Sequence, residues 1–277
     1  ESLYDYRAPQ TGQGTWSIVP LQLLRATHHE LDLSDVGVFN CADDLGSQIA
    51  GRPDVQGVLV LATCNRFEVY LDAAGDDAAT QALAVVAAAT GRSVPEIDGL
   101  LQLVRDGEVA HHLLRVAAGL SSAVVGEQEV RGQVRRAVEV ARAQATLSPA
   151  LERLAIAALE AARDVGRRTR LGDAGRSSVA VALDLAEGLG VCWDRARAVI
   201  AGTGSYAGAS LAQLRGRGCH AIAVHSASGR ADGFAERHHV QALPVGGMGP
   251  ALVSADVVVA CRGTGIHAIT EEALAPV

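Results

Sequence analysis

After residue 195 the chain alternates short apolar runs with helix-patterned segments, and that rhythm restricts the fold more than any other feature. "ARAVIAG" reads as a buried strand, "SYAGASLAQLRGRG" as a helix and "CHAIAVHS" as a strand. "GRADGFAERHH" then reads as a helix and "SADVVVACRG" as a further strand. Alternation of this kind indicates a parallel sheet with crossover helices. Upstream the pattern differs. "VQGVLVLAT" is a continuous apolar run and "RFEVYLDA" alternates, with Cys64-Asn65 at their junction. An alanine-rich helix is expected near 76–90, and "DGEVAHHLLRVAAGL" carries its apolar residues at helical spacing. From about 127 to 170 the pattern is almost entirely helical, broken where Ser148-Pro149 stops one helix and starts the next. The expected fold class is α/β: an N-terminal α+β domain over 1–147, followed over 148–277 by a Rossmann-type doubly wound domain.

"AVIAGTGSYAGASLA" places Gly202-x-Gly204-x-x-Ala207 directly after a strand and at the opening of a helix. The first glycine permits the tight turn and the second lets the backbone approach a pyrophosphate. The third position governs how closely helix and strand pack. The loop residues Gly202, Thr203, Gly204, Ser205, Tyr206 and Ala207 are therefore expected to hold a dinucleotide, its phosphates at the helix N-terminus. The next strand ends "AVHSASGRA", without the Asp or Glu that would hold a ribose 2′-hydroxyl. Ser226, Ser228 and Arg230 supply two hydroxyls and a guanidinium, which suit a 2′-phosphate. The plainer alternative is a serine-rich turn with a surface arginine. NADPH is the cofactor expected.

Composition removes several chemistries. The chain has 277 residues and no lysine, all 24 of its Lys and Arg residues being arginine. Schiff-base catalysis, a lysine general base and a Walker-type phosphate loop are excluded. Five scattered cysteines (Cys41, Cys64, Cys192, Cys219, Cys261), never in a Cys-x-x-Cys pair, argue against a disulfide framework and against a metal site. With no apparent signal peptide and no membrane-length apolar run, a cytoplasmic location is expected. The net charge of −7 disfavours general nucleic-acid binding. Arginines nevertheless crowd the stretch from Arg131 to Arg176, either as a solvated helical face or as a local site for a phosphate backbone.

The segment "LATCNRFEVY" raises the question of what Cys64 does, since an isolated cysteine is usually a small core residue. Together with "HLLRVAAGLSSAVVGEQEVRGQV" (112–134) it resembles the glutamyl-tRNA reductase family. That family's stretches read approximately (S/T)-T-C-N-R-x-E-(V/L)-Y and H-L-F-x-V-A-x-G-L-D-S-x-V-x-G-E-x-Q-I-L-G-Q. The resemblance runs from about residue 16 to the end. It implies NADPH-dependent reduction of glutamyl-tRNA(Glu) to glutamate-1-semialdehyde, the first committed step of tetrapyrrole biosynthesis by the five-carbon route. A cysteine thiolate attacks the ester, releases the tRNA and leaves a thioester, which hydride then reduces. By the same resemblance Cys64 matches the nucleophile and His112 the active-site histidine. Thr63, Asn65, Arg66, Ser122, Glu127, Gln128, Glu129 and Gln133 fall on substrate-contacting positions. Arg66 suits a carboxylate because a guanidinium binds one in a two-point fork. Glu68 is either an orienting group or simply the polar face of a strand. The resemblance also implies a downstream aminomutase as a partner, and a homodimer built by a C-terminal helical domain. The chain stops before that domain, so a monomer is expected.

The sequence departs from the family pattern at several places. Gly-Leu-Ser-Ser (119–122) replaces Gly-Leu-Asp-Ser, so a carboxylate is lost at Ser121. Gly-Glu-Gln-Glu-Val (126–130) replaces Gly-Glu-x-Gln-Ile, so Glu129 brings a negative charge toward an anionic substrate. "LGDAGRSSV" is shorter than its counterpart. "RATHHELDLSD" stands where the family tends to read Ser-His-(R/K)-(T/S)-Ala-Pro, with His28 or His29 as the equivalent and no role carried over. Two alternatives stay open: a deacylase-only relative, and a non-catalytic NADP-binding one.

Overall fold

The computed structural model describes residues 21–39, 44–63, 65–73, 75, 77–127, 129–169, 171, 177–261 and 269–275. The first half is an antiparallel sheet of β1 (Leu21–Thr27), β2 (Val55–Ala62), β3 (Arg66–Ala73) and β4 (Gln102–Arg105), in the order β2-β3-β1-β4. Short helices α1 (Leu33–Gly37) and α2 (Leu45–Ala50) lie between β1 and β2. Helices α3 (Asp77–Thr90) and α4 (Val94–Asp98) lie between β3 and β4. Three longer helices follow: α5 (Gly107–Ala117), α6 (Glu129–Ala143) and α7 (Pro149–Arg168).

Strand β3 is buried along its whole length. Its period-2 alternation separates two cores. Phe67, Val69 and Leu71 join the α2 and α3 side, where Phe39 stacks on Phe67 at 4.6 Å. Tyr70 joins Leu23, Leu59 and the apolar stripes of α5, α6 and α7. The alternation therefore does not give β3 a solvent face. Helices cover both sides, and the polar residues of the second side, Arg66 and Glu68, are sealed beneath α5.

Helix α7 starts at the expected Ser148-Pro149 break, where the Ser148 hydroxyl accepts from the Leu151 amide. Its Leu151, Ala155, Ala158 and Ala162 pack in the α5–α6 core. Helix α5 ends before Gly119, whose φ of +73° suits glycine. A Cβ there would lie 2.8 Å from the Glu127 carbonyl oxygen, so this glycine lets the 119 turn lie against the start of α6.

The second half contains α8 (Ser178–Gly188), β5 (Arg197–Ala201), α9 (Ser205–Gly216), β6 (Ala221–His225), α10 (Ala231–His238), β7 (Gln241–Ala242), α11 (Met248–Ser254), β8 (Val257–Ala260) and α12 (Glu271–Leu274). The sheet is parallel, ordered β7-β6-β5-β8. Helices cover both faces, with Ile200 and Val224 on one core and Val199 and Ala201 on the other. This is the doubly wound architecture expected from the strand–helix rhythm. Among the described residues no helix is long and apolar enough to cross a membrane. No group of three metal-binding side chains occurs among them either.

Candidate active site and nucleotide loop

Register places the polar side chains of the first site. Antiparallel pairing sets Thr27 opposite Arg66 and Arg25 opposite Glu68. Residues 66, 68 and 70 share one face of β3, directed at α5. Glu68, with 0% exposure, collects the network. Its Oε1 accepts from Arg66 Nη1 at 3.0 Å and from His112 Nε2 at 2.8 Å. Its Oε2 accepts from the Tyr70 hydroxyl at 2.6 Å. Arg25 Nη1 lies 3.1 Å from His112 Nδ1. A guanidinium can only donate, so Nδ1 accepts and the ring proton sits on Nε2. The sheet and α5 thus fix the His112 tautomer, and both of its nitrogens are occupied.

Burial pushes the Glu68 carboxyl upward. The His112 hydrogen bond, the Arg66 charge and the Tyr70 hydroxyl outweigh that effect and hold it below the ordinary carboxylate value. The Tyr70 hydroxyl is pushed well above its ordinary value, by burial first and by the Glu68 charge second. Glu68 is therefore an orienting anion rather than the polar face of a strand.

Arg66 Nη2 donates to the Ser121 carbonyl oxygen at 2.5 Å, tying β3 to the turn after α5. A cavity of about 530 Å³ opens here, lined by Arg25, Thr27, Arg66, His112, Arg115 and Ser121 among others. Arg25 also binds Glu30 and Gln102, at 2.7 and 2.9 Å through Nη2. The turn before β3 is closed by the Thr63 amide donating to the Arg66 carbonyl at 2.9 Å and the Asn65 amide donating to Thr63 Oγ1 at 3.2 Å. Cys64 and Gln128, both singled out in the sequence, lie outside the described residues. Ser122 is buried, and its hydroxyl has no partner among the described residues.

The remaining residues assigned to substrate by resemblance face the second sheet. Glu127, 2% exposed, accepts from the Ser178 hydroxyl at 2.9 Å. Gln133 Nε2 donates to the Tyr206 hydroxyl at 3.2 Å, and that hydroxyl also hydrogen-bonds the Glu129 carboxylate. Burial, and then the charge of Glu127, raise Glu129 above the ordinary carboxylate value. Tyr206, expected on the cofactor, holds α6 through its hydroxyl.

At the nucleotide loop the structure joins the sequence-selected residues into a cavity of about 210 Å³. Gly202, Thr203 and Gly204 form its floor, and Ser226, Ser228 and Arg230 its far wall. Gly202 has φ +132°, and a Cβ on it would lie 2.6 Å from the Cys261 carbonyl oxygen. A Cβ on Gly204 would meet open space. Thr203 Oγ1 is buried without a partner among the described residues. Ser226 and Ser228 hydroxyls lie 3.0 Å apart, and Arg230 Nε donates to Ser228 at 2.9 Å. An orphaned hydroxyl in the loop and a hydroxyl pair backed by a guanidinium fit a phosphorylated dinucleotide. Ser205 opens α9.

Arg25, Glu30, Gln102, Arg115 and Ser178 also belong to these sites, and no motif marks them. For Arg25 and Gln102 the signal is β1 register, and for Arg115 helix spacing, one turn after His112. In the arginine-rich stretch, Arg135, Arg142, Arg167 and Arg168 make surface ion pairs with Glu139, Glu152 and Asp164.

Comparison with known proteins agrees with this arrangement. The family model described as "Glutamyl-tRNAGlu reductase, N-terminal domain" matches residues 24–169. Glutamyl-tRNA reductase of Pseudarthrobacter chlorophenolicus is 43% identical over 257 residues, covering 90% of this chain and 58% of that protein. The Cutibacterium acnes protein of the same name is 44% identical over 237 residues, covering 83% of this chain and 52% of that protein. Among solved structures, glutamyl-tRNA reductase from Methanopyrus kandleri aligns with a TM-score of 0.54 at 27% identity, over 87% of this chain and 58% of that one. The chain thus spans little more than half the length of these relatives. Over that span, motif order, paired sheets and sequence identity coincide, and the chain belongs to the glutamyl-tRNA reductase family.

Proposed function

We propose that the chain carries the thioester-forming and NADPH-binding parts of a glutamyl-tRNA reductase, in the route to tetrapyrroles. One observation carries the reading. The buried Arg66–Glu68–His112 cluster adjoins the Thr-Cys-Asn-Arg turn and faces a cavity, in a chain whose nucleotide loop is hydrogen-bonded to α6.

In this reading the Cys64 thiolate attacks the ester carbonyl of glutamyl-tRNA(Glu). The carbon–oxygen bond to the tRNA breaks and a thioester forms. When bound, NADPH would supply the hydride for reduction of the thioester to glutamate-1-semialdehyde, with the Cys64 thiolate as the leaving group. Gly202, Thr203, Gly204 and the α9 amides hold its pyrophosphate, and Ser226, Ser228 and Arg230 its 2′-phosphate. Arg66 takes the free carboxylate of the glutamyl group by exchanging its bond to the Ser121 carbonyl. His112, locked between Arg25 and Glu68, positions the wall of the site. Glu127, Glu129 and Gln133 set the first unit against the nucleotide unit. The division between units lies between residues 169 and 177 in this reading, because α7 shares the core of the first sheet. The arginines of α6 and α7 with no ion pair among the described residues, Arg131 and Arg163 among them, meet the tRNA backbone.

The test is a trapping experiment without NADPH. Protein mixed with tRNA carrying labelled glutamate and quenched in acid retains hydroxylamine-labile label, and Cys64→Ser retains none. Absence of label on folded protein that binds the charged tRNA would sink the nucleophile assignment.

A further inference from the structure

Three arginines line the cavity of about 530 Å³ beside α5, and their hydrogen-bond donors are used very differently. A guanidinium has five N–H donors and no acceptor. Arg25 has all three nitrogens engaged: Nε and Nη2 donate to Gln102, Nη2 also to Glu30, and Nη1 to His112. Arg66, 2% exposed, donates from Nη1 to Glu68 and from Nη2 to the Ser121 carbonyl oxygen. Arg115 is exposed, and its contact among the described residues runs from Nε to Ser121 Oγ at 3.5 Å, the outer limit of a hydrogen bond. Among the described residues its two Nη groups have no protein partner.

Charge separates the three in the same way. Glu68 neutralises Arg66 at 3.0 Å, and Glu30 neutralises Arg25 at 2.7 Å. The other carboxylate of the cavity wall, Glu108, lies 4.0 Å from His111. Among the described residues Arg115 has no ion pair, so it brings the unbalanced positive charge to this cavity. Its position is fixed by the fold. Arg115 follows His112 by one turn of α5 and shares its face. Arg66 reaches Ser121 from β3 and Arg115 reaches it from α5, one at the carbonyl and one at the hydroxyl. The two guanidiniums are therefore about one residue's width apart, and both rest on neutral acceptors that a carboxylate outbids.

We propose that Arg115 is the outer arm of a two-arginine clamp for the side-chain carboxylate of the glutamyl group, and that it decides for glutamate over glutamine. The proposal rests on the reading of glutamyl-tRNA as the substrate. A carboxylate has two oxygens that only accept. One takes Arg66 Nη2 as it leaves the Ser121 carbonyl, and the other takes the Nη pair of Arg115. Arg66, already neutralised, fixes orientation, whereas Arg115 supplies the attraction for charge. A glutamine side chain would set an N–H against a guanidinium, which has no acceptor to offer it.

Equilibrium binding of tRNA(Glu) carrying glutamate or glutamine through an amide, which replaces the ester and prevents transfer, tests this. Wild type is expected to bind the glutamyl form at least about thirtyfold more tightly than the glutaminyl form. Arg115→Gln is expected to cut that preference about tenfold by weakening the glutamyl form alone. Arg115→Met, which keeps an apolar stem and no charge, is expected to behave alike. The unchanged glutaminyl affinity and a melting curve for each variant guard against misfolding. A preference that survives in both variants overturns the proposal. So does equal weakening of the two forms, which is a contact to the tRNA or a structural effect. Wild type that binds neither form overturns the substrate reading and the proposal with it, whereas tight glutamyl binding indifferent to Arg115 overturns the proposal alone.

Discussion

The two sites of this molecule are built by opposite means. On β3 the groups are side chains, Arg66, Glu68, Tyr70 and His112, sealed under α5 and hydrogen-bonded to one another. At the nucleotide loop the shape comes from backbone, Gly202 to Gly204, and the side chains are small hydroxyls with one arginine at the edge. The first site is assembled by folding and cannot be altered without disturbing the core. The second is a surface the fold leaves open, and in the proposed reading its side chains serve the ligand more than the protein. Loss of stability and loss of binding should therefore separate cleanly between the two.

The strongest way to break that contrast is Glu68→Ala. It strips the partner from a buried guanidinium and leaves Arg66 and His112 facing an empty space. Removing one member of a buried ion pair costs about 3–5 kcal/mol. Urea unfolding of the variant should show a loss of that size, and a change near zero would mean that water reaches Arg66. The pH dependence follows from the direction of the Glu68 shift. Its folded pKa lies below the unfolded value, about 4.3. The stability it contributes is present above that value and is lost as pH falls through the folded pKa. Glu68→Gln should flatten this acid limb.

Arg230→Gln probes the other side. Arg230 is exposed and donates to Ser228, so thermal stability should move by less than about 0.5 kcal/mol. Affinity for NADPH should fall about tenfold, corresponding to about 1.4 kcal/mol for a charge-assisted contact, while affinity for NADH is unchanged. Fluorescence titration of both cofactors reads this. Equal loss for the two would remove the 2′-phosphate assignment and leave the serine-rich turn with a surface arginine.

Legibility in the sequence follows the range of the interaction. The parallel sheet and its loop were readable because Gly202-x-Gly204 and the flanking strand and helix are contiguous, and local spacing carries the signal. Arg66, Glu68 and Tyr70 were half readable. Period 2 puts them on one face, yet an alternating strand with Arg and Glu reads equally well as half-solvated. What closes that face is α5, and the distance from Glu68 to His112 is 44 positions in the chain. Arg25 and Gln102 were unreadable, because only the β1 pairings with β3 and β4 bring them in. Glu129 and Gln133 share a face of α6 by i, i+4 spacing. The family pattern assigns that face to substrate, and in this structure it also meets the hydroxyl of Tyr206, 73 positions beyond Gln133.

That face of α6 is where the two modes of construction meet, and Glu129→Gln sharpens the contrast by the smallest step. Glu129 is half-buried, and its pKa is raised by burial and by Glu127. Its folded pKa therefore exceeds the unfolded value of about 4.3. The folded state holds the extra proton, so stability from this group is present below the unfolded value and lost as pH rises through the folded pKa. A glutamine keeps an acceptor for the Tyr206 hydroxyl and carries no charge to desolvate. The variant should be more stable than wild type at pH 7.5, by less than about 1 kcal/mol because the site is partly open to solvent, and indistinguishable from it at pH 4. Paired melting curves at the two pH values decide it. A gain equal at both would show that Glu129 acts through packing, and that the junction between the sheets, unlike the cluster on β3, is insensitive to the charge it carries.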